Sequence, residues 1–110
     1  MKRSEINKLD KLWSEKVKER AGNKCEYCLE ENVWLNSCHI IGRANRATRW
    51  DLENGISLCF YHHRQYDTHG KEHENIRRIV IGEGRILRLE QKAHTIVKNQ
   101  SFEEIKKSLE

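Results

Sequence analysis

A chain of 110 residues amounts to one domain with a thin core, the size at which a metal or other staple often supplies part of the stability. Its residues are 36% hydrophobic and 35% charged, with a mean hydropathy of -0.91, and no apolar run approaches the roughly 18 residues of a membrane span. Lys and Arg number 21 against 17 acidic residues, a net charge of +4 that suits a nucleic-acid partner without requiring one.

The start, Met1-Lys2-Arg3-Ser4-Glu5, leads into no apolar signal region, so the expected location is cytoplasmic. Thiols stay reduced there, and four cysteines then read as metal ligands rather than disulfides. Residues 4–21 read as a helix that covers the core. Ile6, Leu9, Trp13 and Val17 recur at helical spacing, Leu12 widens the stripe, Ser4 is the expected N-cap and Gly22 the expected residue just past the end. Cys25-x2-Cys28 follows as a tight knuckle. Val33-Trp34-Leu35 and Cys38-His39-Ile40-Ile41 are short apolar runs with strand character, and Trp34 and Trp50 are expected as core anchors. Residues 42–50 form a basic loop carrying Arg43, Arg46 and Arg49. Asn54-Gly55 fits a hairpin turn, and Gly55-Ile56-Ser57-Leu58 leads into Cys59.

Residues 60–68 read as a short helix with Tyr61 and Tyr66 as packing residues. The last third is helical. Ile76, Ile79 and Val80 make one stripe, interrupted at Gly82-Glu83-Gly84, and Ile86, Leu89, Ala93, Ile96 and Val97 make a second. Ser101 and Glu104 fit a capping box for a final helix built on Phe102, Ile105 and Leu109. His69, His73 and His94 are expected at the surface, and Lys92, Lys98, Lys106 and Lys107 in solvent.

The strongest chemical signal is Cys25-x2-Cys28 together with Cys59-x2-His62. Thiolates and imidazoles in a closed four-ligand set suit structural zinc, and a two-residue gap lets both side chains reach one ion from a turn. His63 could replace His62 as the fourth ligand, and Cys38 could make the set all-cysteine. Adjacent helix residues diverge by about 100°, so His62 and His63 can serve two different sites.

The ordered set of Cys-x2-Cys, His39, Asn54 and Cys59-x2-His62-His63 resembles the HNH (ββα-metal) nuclease family. Cys38-His39-Ile40-Ile41-Gly42-Arg43, with Arg49-Trp50-Asp51 ahead of Asn54, looks more narrowly like small phage recombination nucleases of the NinG type. The match covers about residues 10–97. It implies an α+β fold: a small ββα-metal core at about 22–70, with zinc knuckles at Cys25, Cys28, Cys59 and His62. An N-terminal helix and a helical part at 71–110 flank that core in one nuclease domain. It implies a metal-dependent DNA endonuclease of phage recombination or processing, working in a bacterial cell or phage-infected host. His39 corresponds to the general base, Asn54 to the residue that ties the loop to the strand and orients His39, and His63 to a ligand of the catalytic cation.

Residue chemistry runs the same way. Phosphodiester hydrolysis needs an activated water and a cation on the phosphate, and a free imidazole titrates near pH 6.5, suited to base work. His63 and Asp67, four apart on a helix, share a face and suit Mg²⁺, Mn²⁺ or a first-row transition ion. Many family members carry Asp or His just before the catalytic His as a further cation ligand; here that position is Cys38, a poor Mg²⁺ ligand. Arg43, Arg46 and Arg49 are the expected DNA contacts, because guanidinium groups take phosphate in bidentate geometry. The rival expectation is a non-catalytic zinc module that binds DNA or a protein.

Overall fold

The structure is a computed structural model describing residues 1–110. It is an α+β arrangement of five helices and one two-stranded antiparallel sheet. Helix α1 (Arg3–Arg20) is followed by β1 (Leu35–His39), a 3-10 turn (Leu52–Asn54), β2 (Gly55–Cys59) and α2 (Phe60–Asp67). Then come α3 (Lys71–Ile76), a π-helical turn (Arg77–Ile81), α4 (Glu83–Ala93) and α5 (Phe102–Leu109). No helix is long and apolar enough to cross a membrane.

Helix α1 begins ahead of the expected cap. Lys2, not Ser4, is the N-cap, because Glu5 accepts the Lys2 backbone N–H at 2.8 Å while the Lys2 carbonyl accepts from Glu5 and Ile6. At the other end Gly22 has φ +71°, as its position predicts. The Gly22 N–H donates to the Glu19 carbonyl and the Asn23 N–H to Lys18, the paired closure of a Schellman motif.

The two apolar runs at 33–35 and 38–41 do not form separate strands. One strand crosses the polar Asn36-Ser37 because β2 pairs with it residue for residue, from Leu35 opposite Cys59 to His39 opposite Gly55. Val33 and Trp34 lie outside that ladder, and Trp34 is 77% exposed, so it anchors no core; Trp50 does, at 5%.

Both faces of this small sheet are covered. Ser37 and His39 of β1 and Gly55 of β2 meet α1: Ser37 Oγ donates to the Ser14 carbonyl at 2.8 Å, and His39 stacks on Trp13. A Cβ at Gly55 would lie 2.5 Å from Val17 Cγ2, so only glycine permits this approach. The other face presents Cys38, Ile56 and Leu58 to a cluster with Tyr66, Ile76 and Ile81. A second cluster joins Leu9, Trp13 and Val17 of α1 to Trp50 and to Leu109 of α5.

The C-terminal third departs from its periodicity. Ile79 sits in the π-helical turn and is 60% exposed, and Gly82, at φ +86°, breaks the helix. Helix α4 stops at Ala93, leaving Ile96 and Val97 outside it. The Asn45 side-chain amide donates to the Ala93 carbonyl at 2.8 Å, which satisfies one of the helix's last acceptors. Tyr61 is exposed on the outside of α2 rather than packed. His73 is buried, not at the surface: its Nδ1–H donates to the Tyr66 carbonyl at 2.8 Å and its ring stacks on Tyr66. Lys92 is paired with Asp51 at 2.7 Å. Ser101 caps α5 by accepting the Glu104 N–H, as its spacing predicts.

Candidate metal centre and adjoining cleft

The knuckle at Cys25 and Cys28 faces the junction of β2 and α2, where Cys59 ends the strand and His62 lies in the first turn of the helix. The four ligand atoms all lie within 4.8 Å of one another. Cys28 Sγ is 4.0 Å from Cys59 Sγ, and His62 Nδ1 is 3.3 Å from Cys59 Sγ and 3.9 Å from Cys25 Sγ. Tetrahedral zinc, with Zn–S about 2.3 Å and Zn–N about 2.0–2.1 Å, separates its ligand atoms by about 3.6–3.8 Å, so the cluster is nearly preformed. Burial pushes the Cys25 thiol up, but backbone N–H groups of Cys28, Cys59 and Tyr27 outweigh this and bring it to about 7. Burial and the neighbouring Cys25 sulfur push Cys28 the other way, as expected where thiolates crowd together without a cation. These four residues are positioned to hold a metal ion, and three sulfurs with one imidazole suit zinc.

Cys38 is not part of this cluster, so the all-cysteine set does not form. Nor does His63 replace His62; one residue further round α2, it faces a different space. That space is a cleft of about 390 Å³ between α1, β1 and α2, lined by Asp10, Trp13, Ser37, Cys38, His39, Arg43, His63 and Asp67 among others. His63 Nε2 lies 3.3 Å from Asp67 Oδ2, the meeting their four-residue spacing predicts. Cys38 is buried, and burial, followed by the charges of Asp67 and Cys25, pushes its thiol far up. It forms part of the wall of the cleft that His63 and Asp67 also line, apart from the sulfur cluster.

His39 is fixed by two contacts. Trp13 stacks on its ring at 3.9 Å between centroids and 9° between planes. Its Nε2 lies 3.0 Å from the Arg49 carbonyl. A carbonyl only accepts, so Nε2 carries the hydrogen, and in the neutral ring Nδ1 keeps the lone pair. Burial lowers the His39 pKa, and the Arg43 and Arg49 charges add to this against the raising effect of the Arg49 carbonyl.

Asn54 is fully buried and forms no hairpin turn. It accepts the Ile41 N–H at 2.8 Å and donates to the Ile41 carbonyl at 2.9 Å, while its own carbonyl accepts the Ile40 N–H. The end of β1, next to His39, is thereby clamped to the 3-10 turn.

The three loop arginines do not act alike. Arg43 is 64% exposed at the mouth of the cleft, and Arg46 is exposed with its guanidinium over Trp50. Arg49 is only 15% exposed and is held by both carboxylate oxygens of Asp10 at 2.8 and 3.1 Å, so its guanidinium is committed within the protein rather than free for DNA. A second groove of about 540 Å³ shares Asp10 and Arg43 with the cleft and adds Arg3 and Arg46. Arg3, Asp10 and Trp13 escaped the sequence analysis as site residues. The core stripe already explained Trp13, and Arg3 and Asp10 read as ordinary charged residues of α1.

No protein-family model, curated protein or solved structure matches this chain.

Proposed function

We propose that this chain is a zinc-stapled, metal-dependent DNA endonuclease of the HNH type, acting in phage DNA recombination or processing. The observation that carries the reading is one cleft lined by both His39 from β1 and His63 from α2. The Asn54 clamp on the strand that bears His39 supports it. His39 acts as general base: Nδ1 takes a proton from water while Nε2–H stays on the Arg49 carbonyl. Arg43 and Arg46, with Arg3 beyond them, hold the phosphate backbone along the second groove. His63 and Asp67 would hold a divalent cation, Mg²⁺, Mn²⁺ or a transition ion, which neutralises charge on the phosphate.

Incubation of zinc-loaded protein with supercoiled plasmid in Mg²⁺, Mn²⁺, Co²⁺ or Ni²⁺ tests this. The wild type should cut with at least one cation, and His39→Ala should lose roughly 10²–10⁴-fold in rate while keeping zinc and fold. No cutting with any cation, or undiminished cutting by His39→Ala, refutes the mechanism. One observation favours the second reading, a non-catalytic zinc module that binds DNA or protein. The position where the resemblance places a cation ligand holds a buried thiol, Cys38. The same plasmid assay separates the two.

A further inference from the structure

We infer that Asp10 is a positioning residue for His39: by locking Arg49 from α1, it fixes the carbonyl that sets the imidazole's tautomer and tilt. The inference rests on the reading of His39 as the base.

Asp10 uses both of its oxygens. Oδ1 accepts from Arg49 Nε at 3.1 Å and from Trp50 Nε1 at 2.8 Å; Oδ2 accepts from Arg49 Nη2 at 2.8 Å. Ion pairs between exposed side chains hold little geometry. This one is different, because Asp10 is 22% exposed, Arg49 is 15% exposed, and the fork is bidentate, which fixes orientation as well as distance. The carboxylate thus grips two consecutive residues, Arg49 and Trp50, and Trp50 is itself sunk into the α1 core. What is held between them is the Arg49 peptide, whose carbonyl lies 3.0 Å from His39 Nε2.

The same face of α1 sets the ring's other contact. Trp13, one turn beyond Asp10, lies flat against the imidazole. His39 is therefore gripped on its edge through Asp10 and Arg49, and on its face by Trp13. With Nε2–H committed to the carbonyl, Nδ1 is the one nitrogen that can accept a proton. Were the Arg49 carbonyl free to move, the ring would sample both tautomers and more than one tilt. A displacement of about 1 Å at a reacting group can cost roughly 100-fold in rate. A simpler role for Asp10, bolting the basic loop to α1, would leave the tautomer untouched when the bolt is loosened.

The test uses ¹⁵N-labelled, zinc-loaded full-length chain. Long-range ¹H–¹⁵N spectra of the imidazoles are recorded at mildly alkaline pH, where the ring is neutral. Wild-type His39 should show a protonated Nε2 and an unprotonated Nδ1. Asp10→Asn keeps the volume and an acceptor for Trp50 but cannot offer Arg49 two charged oxygens. Its His39 signals should move toward the average of both tautomers, and kcat should fall by about 10- to 100-fold without a rise in KM for DNA. Arg49→Ala should give the same loss, and Asp10→Asn/Arg49→Ala no further one, because both act through one carbonyl. A wild-type tautomer in folded Asp10→Asn overturns the inference, even if that variant melts lower. Losses that multiply in the double variant overturn it as well. If wild type cuts no DNA but the tautomer still responds to Asp10→Asn, the positioning role stands and the endonuclease reading falls.

Discussion

Gly55→Ala should weaken the protein through one steric contact. Gly55 is in extended backbone, φ -127° and ψ 143°, which any residue adopts, so the cost is not conformational. The added Cβ would lie 2.5 Å from Val17 Cγ2 and 2.6 Å from Trp13 Cζ2, where carbon atoms ordinarily rest about 3.5–4.0 Å apart. Sheet and helix must therefore separate by about 1 Å. Neither moves freely: the Gly55 carbonyl accepts from Arg20 at 2.6 Å and Arg85 at 2.8 Å, and Trp13 Nε1 donates to the Asp51 carbonyl at 2.8 Å. Overpacking of this kind costs about 1–3 kcal/mol. Loss of unfolded-state freedom returns about 0.4–1 kcal/mol, leaving a net destabilisation near 1–2 kcal/mol. At this chain length that lowers Tm by about 5–15 °C. Scanning calorimetry of the zinc-loaded protein reads it directly. Val17→Ala removes one of the clashing atoms, so Gly55→Ala/Val17→Ala should melt higher than the sum of the two single losses allows. A Gly55→Ala protein that melts with wild type, or strict additivity with Val17→Ala, refutes the close-approach argument.

Chelation should release one zinc per chain and abolish the cooperative melt, since structural zinc contributes about 10–16 kcal/mol of binding free energy in small peptides; a metal-free chain with an unchanged melt refutes the cluster. Plasmid cutting should rise with pH through a midpoint below 6.5, because burial lowers the His39 pKa and only the neutral ring accepts a proton. Activity should then be full at neutrality and fall as pH drops; a midpoint above neutrality in pH–rate measurements contradicts the assignment. Arg43→Ala/Arg46→Ala should flatten the slope of log K against log[salt] for duplex DNA by about 1.8, or 0.9 per lost phosphate contact. Arg49→Ala should leave that slope unchanged, because its guanidinium is already bound to Asp10; a salt titration in which Arg49→Ala flattens it equally overturns the distinction.

The four clustered metal-ligand candidates were legible in the sequence because two-residue gaps are a local property of turns and of one helical turn. His63 and Asp67 were legible for the same reason, as an i, i+4 pair. The α+β class came with the family resemblance, and the short apolar runs between helical stripes agree with it. What local pattern cannot carry is the identity of the partner across the fold. Asp10 meets Arg49 39 residues away, and periodicity assigns Trp13 to a buried stripe without saying that an imidazole lies against it. Trp34 was misread because hydrophobicity marks a tendency to be buried, whereas the ladder with β2 ends at Leu35 and leaves it outside. Ile96 and Val97 continue the apolar stripe of a helix that stops at Ala93, where Asn45, from a distant loop, donates to one of its last carbonyls.

His62 and His63 are joined by one peptide bond, yet one belongs to the metal cluster and the other to the cleft. An ion held by the cluster would therefore help to set the angular phase of α2. Side-chain ends lie about 5–6 Å from a helix axis, so a rotation of roughly 10° carries an imidazole through about 1 Å. A metal that relaxes or stretches the Cys25–Cys28–Cys59–His62 tetrahedron would turn the helix like a dial. The proposed cation site at His63 would then detune while the fold survived. The candidate staple and the proposed chemistry would in this way be a single mechanical part.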